Sequence, residues 1–358
     1  MEAPNRENKT DDRSNMQKKT YQFSSKKVSC YFDGDVSHLR TLVDKQRGII
    51  ITDENVFGHH QKKFRGWKTI VIKPGEQYKT QSTVNSIIEQ LIALEADRKS
   101  FLIGVGGGVV TDITGFVASI YMRGVSFGFL PTTLLAMVDA SIGGKNGIDV
   151  GLYKNLLGLV RQPEFLLFDN RLLATLPEKE WVNGFAEIIK HACIRDAALF
   201  RELEKNDIGY YRKNKQALSK LIRKNVMIKS AVVQGDEFEK GERRLLNFGH
   251  TLGHAIENLY QVPHGHAVSI GMVVAGLLSE EYIGFRDTGR MSALLEQYGL
   301  PTRLNFDAQK AFELIKMDKK REQRTLNYVL LERIGRGMVQ ALPIHEFEKT
   351  LFAIVRAR

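Results

Sequence analysis

The segment FLIGVGGGVVTD, Phe101–Asp112, is an apolar strand-like run that breaks into glycines and continues as a helix. Glycines at such a turn let backbone amides approach a pyrophosphate, and the helix N-terminus that follows favours negative charge. The cluster is not the G-x-G-x-x-G fingerprint, because Val109 stands where the third glycine belongs. A tight turn without a ligand fits the local pattern as well. Outward from it, Gly48–Thr52 (GIIIT), Thr69–Ile72 (TIVI) and Phe127–Leu130 (FGFL) also read as buried strands. Between two of them, Thr83–Asp97 carries Val84, Ile87, Ile88, Leu91, Ile92 and Leu94 at helical spacing. Strands alternating with helices predict a parallel sheet covered on both faces. Ligands of such sheets sit beyond the carboxyl ends of the strands. The residues to watch are therefore Asp53-Glu54-Asn55, Pro74-Gly75-Glu76, Gly106-Gly107-Gly108 and Pro131-Thr132-Thr133.

After Pro177 the texture becomes mostly helical, with apolar periodicity over Trp181–Ile194, Ala197–Glu204, Lys215–Val233, Gly249–Tyr260, Ala267–Ile283 and Arg290–Tyr298. Asn327–Glu332 reads as a late strand, followed by a turn over Arg333–Gly337. At 358 residues the chain exceeds what one compact core supports, which predicts two domains. The boundaries expected are a disordered tail over 1–20, an α/β nucleotide-binding domain over 21–177 and a mainly α-helical domain over 178–358.

Composition narrows the function. Lys plus Arg total 52 against 41 Asp plus Glu, a formal net charge of +11 that invites either a nucleic-acid or a small-anion reading. The first twenty residues hold five basic and four acidic side chains, so the surplus belongs to the folded part. They contain no apolar block of the kind a signal peptide needs. The most apolar stretch, Phe127–Met137, is interrupted by Pro131 and is far too short to span a bilayer. Cys30 and Cys193 lie far apart in sequence and form no C-x-x-C pair, so neither a disulfide framework nor a cysteine zinc site is suggested. A soluble cytoplasmic protein is expected, without membrane contact.

Three further constellations could carry chemistry. Gly143-Gly144-Lys145-Asn146 superficially resembles a P-loop, but Asp139 and Asn146 stand where Gly and Ser or Thr are required. Glu187, Lys190 and His191 share one helix face, as a salt bridge or as a site. Four of the nine histidines, His250, His254, His264 and His266, lie close together in sequence. Neutral imidazoles with a carboxylate suit a zinc-like ion with an open position. His250 and His254 have the spacing of the H-E-x-x-H helix, but Thr251 replaces the general-base Glu, which excludes a metallopeptidase. The basic run holding Arg212, Lys213, Lys215, Lys220, Arg223 and Lys224 reads as a solvated helix face. Lys229, Arg243 and Arg244 are better placed for anion contacts.

Several blocks together resemble the 3-dehydroquinate synthase family, sugar-phosphate cyclases of the shikimate pathway. They are Pro74–Lys79, GGGVVTDITGF (Gly106–Phe116), Arg123-Gly124, PTTLLAMVDASIGGKNG (Pro131–Gly147), Lys154-Asn155, GFAEIIKH (Gly184–His191) and NFGHTLGHAIE (Asn247–Glu257). The resemblance implies an N-terminal nucleotide-binding α/β domain, a helical C-terminal domain and a homodimer. It implies a lyase that converts 3-deoxy-D-arabino-heptulosonate 7-phosphate to 3-dehydroquinate and phosphate, with NAD and one divalent metal, Zn2+ or Co2+. By motif, the metal ligands would be Glu187, His250 and His264, with His254 on the substrate side. Asp53, Asn55, Glu76, Lys79, Gly107, Gly108, Asp112, Thr132, Thr133 and Asp139 would line the NAD pocket, with Lys154 and Thr175 nearby. Arg123, Lys145, Asn155, Lys190, Lys229, Arg243 and Asn247 would surround the substrate's phosphate, carboxylate and hydroxyls. One more basic residue is expected near Asp318-Lys319-Lys320.

The implied chemistry accounts for that inventory. NAD oxidises the C5 alcohol, phosphate leaves by β-elimination, hydride returns, and ring opening with an aldol closes the carbocycle. Positioning a small polyanion is then the protein's main task, which lysines and arginines serve. One departure is His264-Gly265-His266, where the family commonly has H-G-E. The rivals are another cyclase acting on sedoheptulose 7-phosphate or glucose 6-phosphate, and a metal-dependent polyol dehydrogenase. A nucleic-acid role has no accompanying motif and leaves the histidines unexplained.

Overall fold

Alternate residues of the apolar runs face opposite ways, as a two-sided sheet requires. Ile49, Ile51, Leu102, Phe127 and Phe129 join one core cluster, while Ile50, Ile103, Val105 and Leu130 join another. The computed structural model describes residues 16–151, 153–318 and 325–356. The sheet runs β1-β2-β9-β6-β5-β3-β4. Its strands are β1 (Gln17–Gln22), β2 (Lys27–Phe32), β3 (Gly48–Asp53), β4 (Lys68–Ile72), β5 (Phe101–Gly106), β6 (Ser126–Pro131) and β9 (Phe165–Leu167). Only β1 is antiparallel to its neighbour; the rest pair in parallel. From β3 the chain goes one way to β4 and from β5 the other way to β6. The strand order therefore reverses between β3 and β5, which opens a crevice at Asp53 and Gly106. A hairpin, β7 (Lys145–Val150) with β8 (Tyr153–Val160), lies outside the sheet.

The helices of this half are α1 (Leu39–Leu42), α2 (Glu54–His60), α3 (Gln81–Ala93) and α4 (Gly108–Ile120). They are followed by α5 (Glu178–Arg195), α6 (Ala197–Leu203), α7 (Ile208–Lys213), α8 (Lys215–Gly235), α9 (His250–Tyr260), α10 (His264–Ile283), α11 (Thr288–Gln297), α12 (Ala308–Asp318) and α13 (Ile344–Arg356). A last hairpin joins β10 (Thr325–Arg333) to β11 (Arg336–Pro343). The larger core cluster is continuous across both halves: it holds Val110, Ile113 and Val117 of α4 together with Ile188, Ala192, Val226 and Leu252. The smaller cluster, with Phe64, Trp67 and Leu172, covers the other sheet face.

The fold class expected from the sequence is the one observed, with differences in detail. Gln17–Thr20, given to the tail on composition, begin β1, because the ladder to β2 needs no apolar side chains on an exposed edge. The rest of that tail, residues 1–15, lies outside the described residues. The helix expected over Thr83–Asp97 stops at Ala93, since Glu95 adopts a left-handed φ of 55°. The turn expected over Arg333–Gly337 is shorter, and β11 begins at Arg336. The basic run is only partly a solvated face: Arg223 pairs with Asp33, and Lys224 lies 3.1 Å from Asp196. Among the described residues no helix is long and apolar enough to cross a membrane.

Candidate active site

Three helices deliver the candidate metal ligands. Glu187 sits in the middle of α5, His250 is the first residue of α9 and His264 the first of α10. Two glycines bring α9 and α10 together. Gly249 caps α9 with φ 78°, and a Cβ on Gly271 of α10 would lie 1.9 Å from the Gly249 carbonyl oxygen. Glu187 Oε1 is 3.4 Å from His250 Nε2 and 3.3 Å from His264 Nε2. Bonds of ~2.0–2.1 Å at tetrahedral angles separate donor atoms by about 3.3–3.4 Å, so these residues fit a zinc-like ion. The Nδ1 atoms of both histidines are engaged elsewhere. That of His250 meets the Phe248 carbonyl at 3.1 Å and that of His264 meets Glu257 at 3.1 Å. Both Nε2 atoms are thereby aimed at the centre.

His254 is not part of this triad; its ring stands edge-on to that of His250, with centroids 5.2 Å apart. Burial, with His250 and His264 beside it, pushes its pKa down to about 3, so it is neutral. Burial would lower His264 too, but its hydrogen bonds to Glu187 and Glu257 outweigh that and hold it up to about 10. Burial would raise Glu187, but Lys190 and His250 keep it well below the usual carboxylate range. His266 belongs to none of the groups that could hold an ion among the described residues.

A string of buried charges runs from the triad toward the sheet. Lys190 pairs with Glu187 and lies 3.7 Å from Asp139, whose other oxygen is 2.8 Å from Lys229 Nζ. Asp139 stands in a π turn, Ala136–Ala140, and Lys229 also donates to its carbonyl at 2.7 Å. Burial, only partly opposed by Asp139, pushes Lys229 down to about 8. The Arg243 guanidinium is buried and donates to the carbonyls of Gly143 and Glu237. Lys145 and Asn247 both meet the Glu239 carboxylate.

On the nucleotide side, Lys79 donates to Asp112 and to Asn155 Oδ1. Burial would lower Lys79, but Asp112 and Glu76 raise it. Lys154 lies 3.2 Å from Glu76, 3.4 Å from Asp149 and 3.8 Å from Glu257. Gly107 caps α4 and Gly108 begins it, and the cap residue itself has no side chain to close the first turn. Thr132 and Thr133 follow β6 beside them, and the Thr132 hydroxyl is buried without a hydrogen bond among the described residues. The Asp53 side chain is occupied, accepting from Val56 N–H at 2.9 Å as the cap of α2.

Not every expected residue joins. Asn55 and Arg123 are exposed, and among the described residues neither makes a polar side-chain contact with the cluster. Thr175 meets His60 at 3.1 Å. Lys319 and Lys320 lie outside the described residues. Conversely, Glu239, Asp149 and Glu257 were missed, as was the Asn225–His191 pair (2.9 Å) that stands behind Asp139. Glu257 alone had a signal, as the acid closing the NFGHTLGHAIE block.

Comparison with known proteins covers both halves of the chain. Residues 69–183 match the family model of the 3-dehydroquinate synthase N-terminal domain, and residues 184–321 match that of the C-terminal domain. A 3-dehydroquinate synthase of Pyrococcus abyssi is 45% identical over 276 residues, 76% of this chain and 81% of that protein. A 2-epi-5-epi-valiolone synthase from Streptomyces hygroscopicus, solved with NAD+ and Zn2+ bound, superposes with a TM-score of 0.80 at 27% identity, covering 88% of this chain and 93% of that one. A 2-deoxy-scyllo-inosose synthase complexed with carbaglucose-6-phosphate, NAD+ and Co2+ shares the fold, with a TM-score of 0.79 at 23% identity over 94% and 99% of the two chains. Sequence blocks, site geometry and relatives agree that this chain belongs to the 3-dehydroquinate synthase family.

Proposed function

We propose that the protein is a 3-dehydroquinate synthase, releasing phosphate from 3-deoxy-D-arabino-heptulosonate 7-phosphate and closing the carbocycle. The observation that carries this reading is the adjacency of a Glu187–His250–His264 centre to the buried cations Lys190, Lys229 and Arg243. When bound, NAD would accept a hydride from the substrate and return it, and a divalent metal (Zn2+ or Co2+) held by Glu187, His250 and His264 would polarise a substrate oxygen.

The chain's own residues do the rest. Gly107 and Gly108 at the open start of α4 would receive the dinucleotide's phosphates, with Asp53, Asn55, Glu76, Lys79, Asp112, Thr132, Thr133, Lys154 and Thr175 around it. Lys190 and Lys229, held apart by Asp139, would orient the anionic substrate; Arg123, Lys145, Asn155, Arg243 and Asn247 would take its remaining oxygens. His254, kept neutral by burial, is an acceptor for a substrate proton rather than a charge. Reduced cysteines and the resemblance support a cytoplasmic location. The open edge strand β1 is compatible with the homodimer that the resemblance implies. The domain division is proposed near Pro177.

Another cyclase is the nearest rival, and the retained Lys145, Lys229, Arg243 and Asn247 favour a substrate that bears a carboxylate. The test is a comparison of substrates on metal-loaded protein with NAD. The heptulosonate phosphate should turn over, and sedoheptulose 7-phosphate and glucose 6-phosphate should not. Preference for either of the latter would replace this reading.

A further inference from the structure

His264 offers both ring nitrogens to carboxylates: Nε2 lies 3.3 Å from Glu187 Oε1 and Nδ1 lies 3.1 Å from Glu257 Oε2. An imidazole that binds a metal through one nitrogen carries its proton on the other, and that N–H needs an acceptor. Glu257 reaches His264 from the last turns of α9, and its side chain is only 15% exposed. Its second oxygen is 3.8 Å from Lys154, which also meets Glu76 and Asp149 on the nucleotide side.

We propose that Glu257 is the positioning residue of the metal centre: it accepts the Nδ1 proton of His264, fixes the tautomer and turns Nε2 toward Glu187 and His250. Lys154 steadies the carboxylate from the opposite side. The inference rests on Glu187, His250 and His264 being the metal ligands.

A second set, His254, Glu257 and His264, also converges within 4.8 Å. In that set His264 would bind through Nδ1, and its Nε2 would turn its proton to Glu187 instead. Symmetry of treatment argues against it. Both His250 and His264 have Nδ1 committed to an oxygen acceptor and Nε2 aimed at one Glu187 oxygen. His254 has no comparable hydrogen bond among the described residues.

The test measures zinc affinity of the full chain by competition with a chromophoric chelator, alongside the visible spectrum of the Co2+-loaded protein. The variants are E257A, E257Q and H264A. Loss of an orienting partner weakens metal binding by ~10–100-fold, which is the result expected for E257A. E257Q keeps an acceptor oxygen and should lose only a few-fold, and both should retain the wild-type ligand number in the cobalt spectrum. H264A should lose binding altogether. Wild-type zinc affinity in E257A beside a crippled H264A would overturn the proposal. So would a loss in E257A as complete as that in H264A, which would make Glu257 a ligand. If E257A does not fold, E257L, which also lacks an acceptor, takes its place, and wild-type zinc affinity there would overturn the proposal. Wild-type affinity in H264A would instead remove the ligand assignment itself, and the proposal with it.

Discussion

Glu187 Oε1 and His264 Nε2 stand 3.3 Å apart although 77 residues separate them in sequence. That distance is the edge of a small tetrahedral site, and only the packing of α5 against α10 creates it. The two histidines of the H-G-H block are therefore expected to differ. H264A should emerge from gel filtration without zinc, whereas H266Q should retain about one zinc per chain, both read by metal analysis. The reverse result would refute the ligand choice.

The clash distance at Gly271 makes a prediction about the same site. A methyl there would press on the Gly249 carbonyl, a backbone atom that cannot rotate away. G271A should lose about 3 kcal/mol or more in urea unfolding and should also bind zinc more weakly, because Gly249 sets the position of His250. Wild-type stability would mean that α9 and α10 do not approach this closely.

Much of this was legible in advance, for physical reasons that differ by element. The strands β3, β5 and β6 are buried on both faces and announce themselves as continuous apolar runs, and the glycines after β5 mark the crevice. The edge strand β1 carries mostly exposed polar side chains, so no apolar pattern reveals it. In the site, local spacing pairs His250 with His254 on one helix. Tertiary packing instead supplies His264 and Glu187 from other helices. Glu239 and Asn225 stayed hidden because each acts through a partner distant in sequence.

Lys229 links burial to pH. It is charged below about pH 8 and neutral above it, and only the charged form attracts the anionic substrate. The value of kcat/KM should be flat below that pH and fall about tenfold per unit above it, while kcat at saturation holds, because a bound anion restores the proton. K229R should remove the break near pH 8. A wild-type kcat/KM still flat at pH 10 would contradict this role.

Both thiols should be inert in the folded protein. Burial pushes Cys30 up to about 12 and Cys193 higher still, and reactivity follows the thiolate. A chromogenic disulfide reagent should titrate none in the native protein and both after unfolding in guanidinium. Rapid native labelling of either would show that the core opens there.

The central claim is that hydride leaves and returns within one turnover while phosphate departs once. It is tested by recording phosphate release and absorbance at the NADH band together, on metal-loaded protein with catalytic NAD and the heptulosonate phosphate. The account predicts many equivalents of phosphate and of dehydroquinate per enzyme with no net NADH. NADH accumulating in proportion to substrate consumed, or no phosphate release at all, would contradict it.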